Sequence, residues 1–150
     1  MNMRRYVLLV VTCFCAVLLG CDTGPKSAAG FRLPDGDAAA GEATFVALSC
    51  HDCHSIRDYP LPASQSPGPV SVELGGAVSR VKTYGELVSS VINPSHKITQ
   101  RYPADQVSVD GESLMRPYND TMTVQQLVDL VAFLQGRYEV VVPRYVYPHF

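Results

Sequence analysis

The 150-residue sequence has no run of basic residues and a slight acidic excess, twelve Lys and Arg against fourteen Asp and Glu. Nucleic-acid recognition calls for a clustered positive face, so that class of partner is disfavoured. Beyond Cys50 and Cys53 there is no second C-x-x-C, and a zinc site would want four ligands. No βαβ pattern surrounds that pair, although a redox dithiol of the thioredoxin type would sit beside one. No other cofactor motif and no catalytic constellation occurs in the chain. What the sequence does contain is concentrated in two places, its first twenty-one residues and the stretch around residue 50.

Cys50-His51-Asp52-Cys53-His54 spells C-x-x-C-H, the attachment signature for c-type haem. Each thiol must add to one of two vinyl groups on the same porphyrin edge, and one helical turn places both sulfurs along that edge. His54 then projects over the ring as the proximal ligand of the iron. Zinc ligation, a redox dithiol and a plain Cys50–Cys53 disulfide are the competing readings, the last constraining little in so short a loop.

At the other end, Arg4 and Arg5 precede an apolar run from Tyr6 to Leu19 interrupted only by Thr12. The run is short for a membrane span and has the layout of a secretory signal peptide; an uncleaved membrane anchor is the alternative. Its ending, Leu18-Leu19-Gly20-Cys21, resembles the lipobox of bacterial lipoproteins. That resemblance implies cleavage before Cys21, diacylglyceryl transfer to its thiol and N-acylation of the new terminus. The domain would then be lipid-anchored on the periplasmic side of a bacterial membrane, held at about 0.8 kcal/mol per buried CH2. Removing residues 1–20 leaves ten basic against fourteen acidic side chains, a net charge of −4. Of the five cysteines, Cys13 and Cys15 leave with the signal peptide, Cys21 carries lipid, and Cys50 and Cys53 take haem. No thiol remains for a disulfide framework, so the haem does the stapling.

Residues 21–37, rich in Gly, Pro, Ala, Lys and Ser, read as a flexible tether. A helix is expected from Ala38 to about Cys50, with Asp37 as N-cap and Gly41, Phe45 and Leu48 on one face. Gly41 costs about 1 kcal/mol there relative to alanine, which points to a close helix–helix approach. Tyr59 to Pro69 holds Pro60, Pro62, Pro67 and Pro69 and is expected as a loop. Thr83-x-x-Glu86 is a capping box opening a short helix from Tyr84 to about Ile92, stopped by Asn93-Pro94. Ser95 to Tyr118 reads as polar loop. Thr123-x-x-Gln126 is a second capping box, with Val124, Leu127, Val128, Val131 and Leu134 as the stripe of a helix ending at Gly136. Residues 138–150 alternate Val, Tyr and Pro and read as an extended tail lying on the domain, or else as a docking segment.

A glycine and an aromatic four apart just upstream of C-x-x-C-H, with Asp129-Leu130-Val131-Ala132-Phe133-Leu134 later, resemble the crossing terminal helices of class I cytochromes c. The resemblance covers residues 38–137. It implies an all-α fold in which N- and C-terminal helices cross, a short helix lies between them, and loops wrap one covalently bound haem c. Gly68-Pro69 resembles the pair whose proline carbonyl accepts the proximal histidine's Nδ1–H in this family, which would place Pro69 behind His54. The sixth ligand is expected to be Met115, fourteen residues before Asp129. The family's common Met-Pro is here Met115-Arg116-Pro117. Met122 and His96 are the alternatives, with Met122 also explained as a staple onto Leu127. Tyr84, Arg80 and Arg101 are candidates for the haem carboxylates. The function implied is an electron carrier, not an enzyme, exchanging single electrons with redox partner proteins. A haem subunit of an oxidoreductase complex, or a haem ligand sensor or peroxidase, is the alternative.

Overall fold

In a computed structural model, which describes residues 31–141, the chain divides into two units, Met1–Leu33 and Pro34–Phe150. Every helix and strand below belongs to the second. The signal segment, Cys21, His149 and residues 142–150 lie outside the described residues. In chain order the elements are α1 (Ala38–Ala47), β1 (His54–Ile56), β2 (Val72–Leu74), β3 (Gly76–Val78), α2 (Tyr84–Ile92), α3 (Ala104–Val107), β4 (Ser108–Val109), β5 (Glu112–Ser113), α4 (Val124–Gln135) and β6 (Tyr138–Val140). Short 3₁₀ turns occupy Cys50–Asp52 and Pro94–His96.

Helix starts follow from local chemistry. The Asp37 carboxylate accepts the amides of Ala39 and Ala40, two of the donors that a first turn leaves without partners. Both capping boxes close reciprocally, Thr83 with Glu86 at α2 and Thr123 with Gln126 at α4.

The core forms where α1 crosses α4, with α2 also packed against α4. Phe45 and Phe133 are both almost fully buried, their ring centroids 5.9 Å apart and tilted by 58°. Tyr59 meets Phe133 edge-on at 5.8 Å, and the Arg137 guanidinium stacks over the Tyr59 ring at 3.9 Å. Leu87, Val88 and Val91 of α2 close the core against Val128, Leu130, Val131 and Leu134 of α4. Each such side chain contributes roughly 1.5–3 kcal/mol by leaving water.

A buried carboxylate fastens the crossing. Asp129 on α4 is 7% exposed and accepts the backbone amide of Asp37 at 2.8 Å and the Gln125 side-chain amide at 2.9 Å. The segment just before α1, expected as the end of a flexible tether, is therefore bound to α4. Asp129→Ala leaves the Asp37 amide without its acceptor and is expected to lower stability by about 1–3 kcal/mol, read from urea unfolding.

The expected all-α class I cytochrome c fold is not what forms. Six short strands pair into three two-stranded sheets, two of them parallel: β1 with β2 and β3 with β6, beside the antiparallel β4–β5. The protein is a mixed assembly of helices and small sheets. Segments of two or three residues are too short to display the period-two alternation by which a strand announces itself. Their pairing depends instead on which distant stretches the helices bring together. The β4–β5 hairpin lies inside the stretch expected as loop and turns at Asp110-Gly111, both at positive φ. β6 lies along β3, and Val141 N–H continues the ladder to the Val78 carbonyl at 2.9 Å.

Candidate functional site

α1 ends at Ala47, before the expected Cys50, because Ser49 takes a left-handed conformation (φ 57°). This is costly for a residue with a Cβ, roughly 1–2 kcal/mol. The turn redirects the chain into the 3₁₀ turn Cys50–Asp52, so Cys50 and Cys53 sit on a tight bend followed by a strand.

The bend is held from behind by the proline-rich loop. Gly68 N–H donates to the Asp52 carbonyl at 2.7 Å, and Ser64 Oγ to the Asp52 carboxylate at 2.6 Å. Gly68 lies so close to Cys53 that a Cβ there would fall 2.2 Å from its Sγ. The glycine therefore leaves room for the sulfur. Gly68→Ala is expected to push the loop off the bend and cost about 1–3 kcal/mol, measured by chemical denaturation.

His54 heads β1, directly opposite Val72 of β2. Its Nδ1 lies 3.1 Å from the Val72 carbonyl oxygen. A carbonyl only accepts, so Nδ1 carries the proton and Nε2 is the nitrogen with a lone pair to give to a metal. Burial lowers the His54 pKa, opposed by that hydrogen bond, and so favours the neutral imidazole that ligation requires. The acceptor role expected of Pro69 belongs to Val72. The parallel β1–β2 pairing brings the Val72 carbonyl to the ring, while Pro69 stands exposed on a cavity wall.

Two adjoining cavities, of about 330 and 640 Å3, share Cys50, His54, Val72, Lys97, Met115 and Tyr118 in their walls. Each is of the size that takes a cofactor-sized ligand, roughly 300–1,000 Å3. The larger also has Cys53 in its wall. The smaller is closed by Phe45, Leu87, Val91, Leu130 and Leu134, so it borders directly on the core. Met115, far from the C-x-x-C-H motif in sequence, is the methionine that reaches both cavities. Met122 and His96 reach the smaller alone. His96 is exposed, and its Nδ1 is tied at 2.6 Å to the Asn93 carbonyl of its own 3₁₀ turn.

The Cys50 thiol does not have the character of a redox-active cysteine. Burial pushes the Cys50 pKa up to about 11, only partly offset by a hydrogen bond with Tyr118, whereas nucleophilic cysteines are depressed. Among the described residues no three His, Cys, Asp or Glu side chains gather as a metal cluster, so a zinc ion at Cys50 and Cys53 finds no full donor set there. A c-type haem makes a smaller demand, two sulfurs and one imidazole from a single motif with one further donor, and the cavity walls supply those groups. Of the residues considered for its carboxylates, Arg101 lines the smaller cavity, whereas Arg80 is paired with Glu86 at 2.7 Å. Lys97, which lines both cavities, was not singled out by sequence; an exposed lysine in a polar loop carries no pattern.

No protein-family profile, curated protein or solved structure matches the chain. Among the described residues, no helix is long and apolar enough to cross a membrane.

Proposed function

We propose that this chain is a monohaem c-type cytochrome, anchored through lipidated Cys21, that passes single electrons between redox proteins outside the cytoplasm. The observation that carries the proposal is that Met115, from a segment well separated in sequence, lines the same pair of adjoining cavities as Cys50 and His54 of the C-x-x-C-H motif.

When bound, the haem supplies a one-electron ferric/ferrous couple whose potential a thioether ligand raises. The chain's own residues do the rest. Cys50 and Cys53 would hold the group covalently, and Gly68 leaves space for the second sulfur. Val72 fixes the tautomer of His54 and strengthens its donor nitrogen. Met115 would supply the further donor from the cavity wall and so keep small ligands out. Lys97 and Arg101 offer positive charge to the carboxylates. Phe45, Leu87, Val91, Leu130 and Leu134 keep water from the inner wall. Groups packed this way rearrange little when charge changes, which suits exchange of electrons over a surface contact.

The test is a reductive titration of the matured protein followed by exposure of the ferrous form to CO. One electron taken up per chain, with no CO adduct, supports a carrier. Ready CO binding by the wild type contradicts it and favours a ligand sensor or peroxidase.

A further inference from the structure

Between Met115 and Pro117, Arg116 turns back toward the end of α1. Its Nη2 donates to the Leu48 carbonyl at 3.0 Å and its Nε to the Tyr118 hydroxyl at 2.9 Å. The Tyr118 hydroxyl donates to the same Leu48 carbonyl at 3.0 Å, and the guanidinium lies 4.9 Å from the Tyr118 ring centroid. Leu48 is the C-cap of α1, and its carbonyl is among those a helix end leaves without intrahelical partners. Two residues further on is Cys50, the first cysteine of the C-x-x-C-H motif.

We infer that Arg116 and Tyr118 form a clasp that fastens the Met115 loop to the chain just before the C-x-x-C-H motif, and thereby sets how readily Met115 yields the sixth position. The inference rests on the proposed haem function. Several features separate the clasp from ordinary loop packing. It spans the chain from residue 48 to residue 118, both donors meet on one carbonyl, and the residue directly before Arg116 is Met115. Arg116 is exposed, so its contribution is made by directed bonds and not by filling space. A planar fork reaches the hydroxyl and the carbonyl together; a lysine ammonium on a flexible stem does not. Opening the clasp raises the fraction of molecules in which Met115 is off the iron. Apparent affinity for a competing ligand rises in proportion to that fraction.

Imidazole binding to the ferric protein reads this directly, with occupancy expressed per haem so that loading does not enter. Arg116→Leu is expected to bind imidazole about tenfold more tightly than the wild type, and Arg116→Lys to behave like Arg116→Leu. Tyr118→Phe keeps the ring and removes the hydroxyl, and should shift affinity in the same direction. Imidazole affinities within about twofold of the wild type in both Arg116→Leu and Tyr118→Phe overturn the clasp while leaving the cytochrome reading intact. A wild-type protein that matures without haem overturns the cytochrome reading itself.

Discussion

Gly41→Ala is expected to destabilise the protein by about 3 kcal/mol, although alanine is the better helix former. The helical preference favours alanine by about 1 kcal/mol. Against this, a Cβ at residue 41 would sit 2.0 Å from the Asp129 carbonyl oxygen and 2.8 Å from the Phe133 Cβ. The first obstacle is backbone within α4 and cannot rotate away, so α1 has to lift. Lifting it separates Phe45 from Phe133 and stretches the bond from Asp129 to the Asp37 amide. The steric term wins. A thermal midpoint roughly 10–20 °C lower is the expected readout. Gly85→Ala is the control, because a Cβ there meets nothing closer than Thr83 Oγ1 at 4.0 Å. That change should be neutral or slightly stabilising. Equal effects at the two glycines would mean that α1 and α4 do not cross at Gly41.

Met115→Ala is expected to change ligand binding more than any other single substitution. Under the proposed haem ligation, removal of the thioether would open the sixth position in essentially every molecule. If the wild type opens in one molecule in a hundred or fewer, affinity for CO in the ferrous state rises by on the order of a hundredfold. The long-wavelength methionine-to-iron absorption of the ferric protein should vanish with it. Met122→Ala and His96→Ala should leave both observables in place, Met122 reaching one cavity only and His96 being bound to its own turn. Loss of the band in either of those variants, with the band retained in Met115→Ala, would move the ligand to the residue changed.

The helices were legible because their determinants are local. Asp37, Thr83 and Thr123 mark three starts by side chains that bond amides two or three residues on. Of the expected stripe on α4, Val128, Val131 and Leu134 are buried, Leu127 is half-buried and Val124 at its start is exposed, while Gly41 with Phe45 gives the site of the crossing. The hairpin at Asp110-Gly111 was also within reach, since Asp-Gly between Val109 and Glu112 carries the turn chemistry of a two-residue connection. Other features depend on contacts made across long stretches of chain. The Val72 carbonyl faces His54 only because β1 and β2 pair in parallel register, and no pattern in either segment states that partner. The pairing of Arg116 with Leu48 belongs to the same class. At the candidate site, spacing and type mark Cys50, Cys53 and His54, and the structure brings Met115 to the same cavity walls as Cys50 and His54, while the groups that orient these side chains carry no sequence pattern.

Covalent attachment of one haem through Cys50 and Cys53 is tested by extracting the purified, matured protein with acidified acetone. The haem absorbance is expected to stay with the precipitated chain, and the intact mass to exceed that of the acylated polypeptide by one haem. In Cys50→Ala/Cys53→Ala the colour should pass to the solvent or be absent. A wild-type chain carrying no haem after expression with a c-type maturation system, or one whose haem is fully extracted, would contradict it.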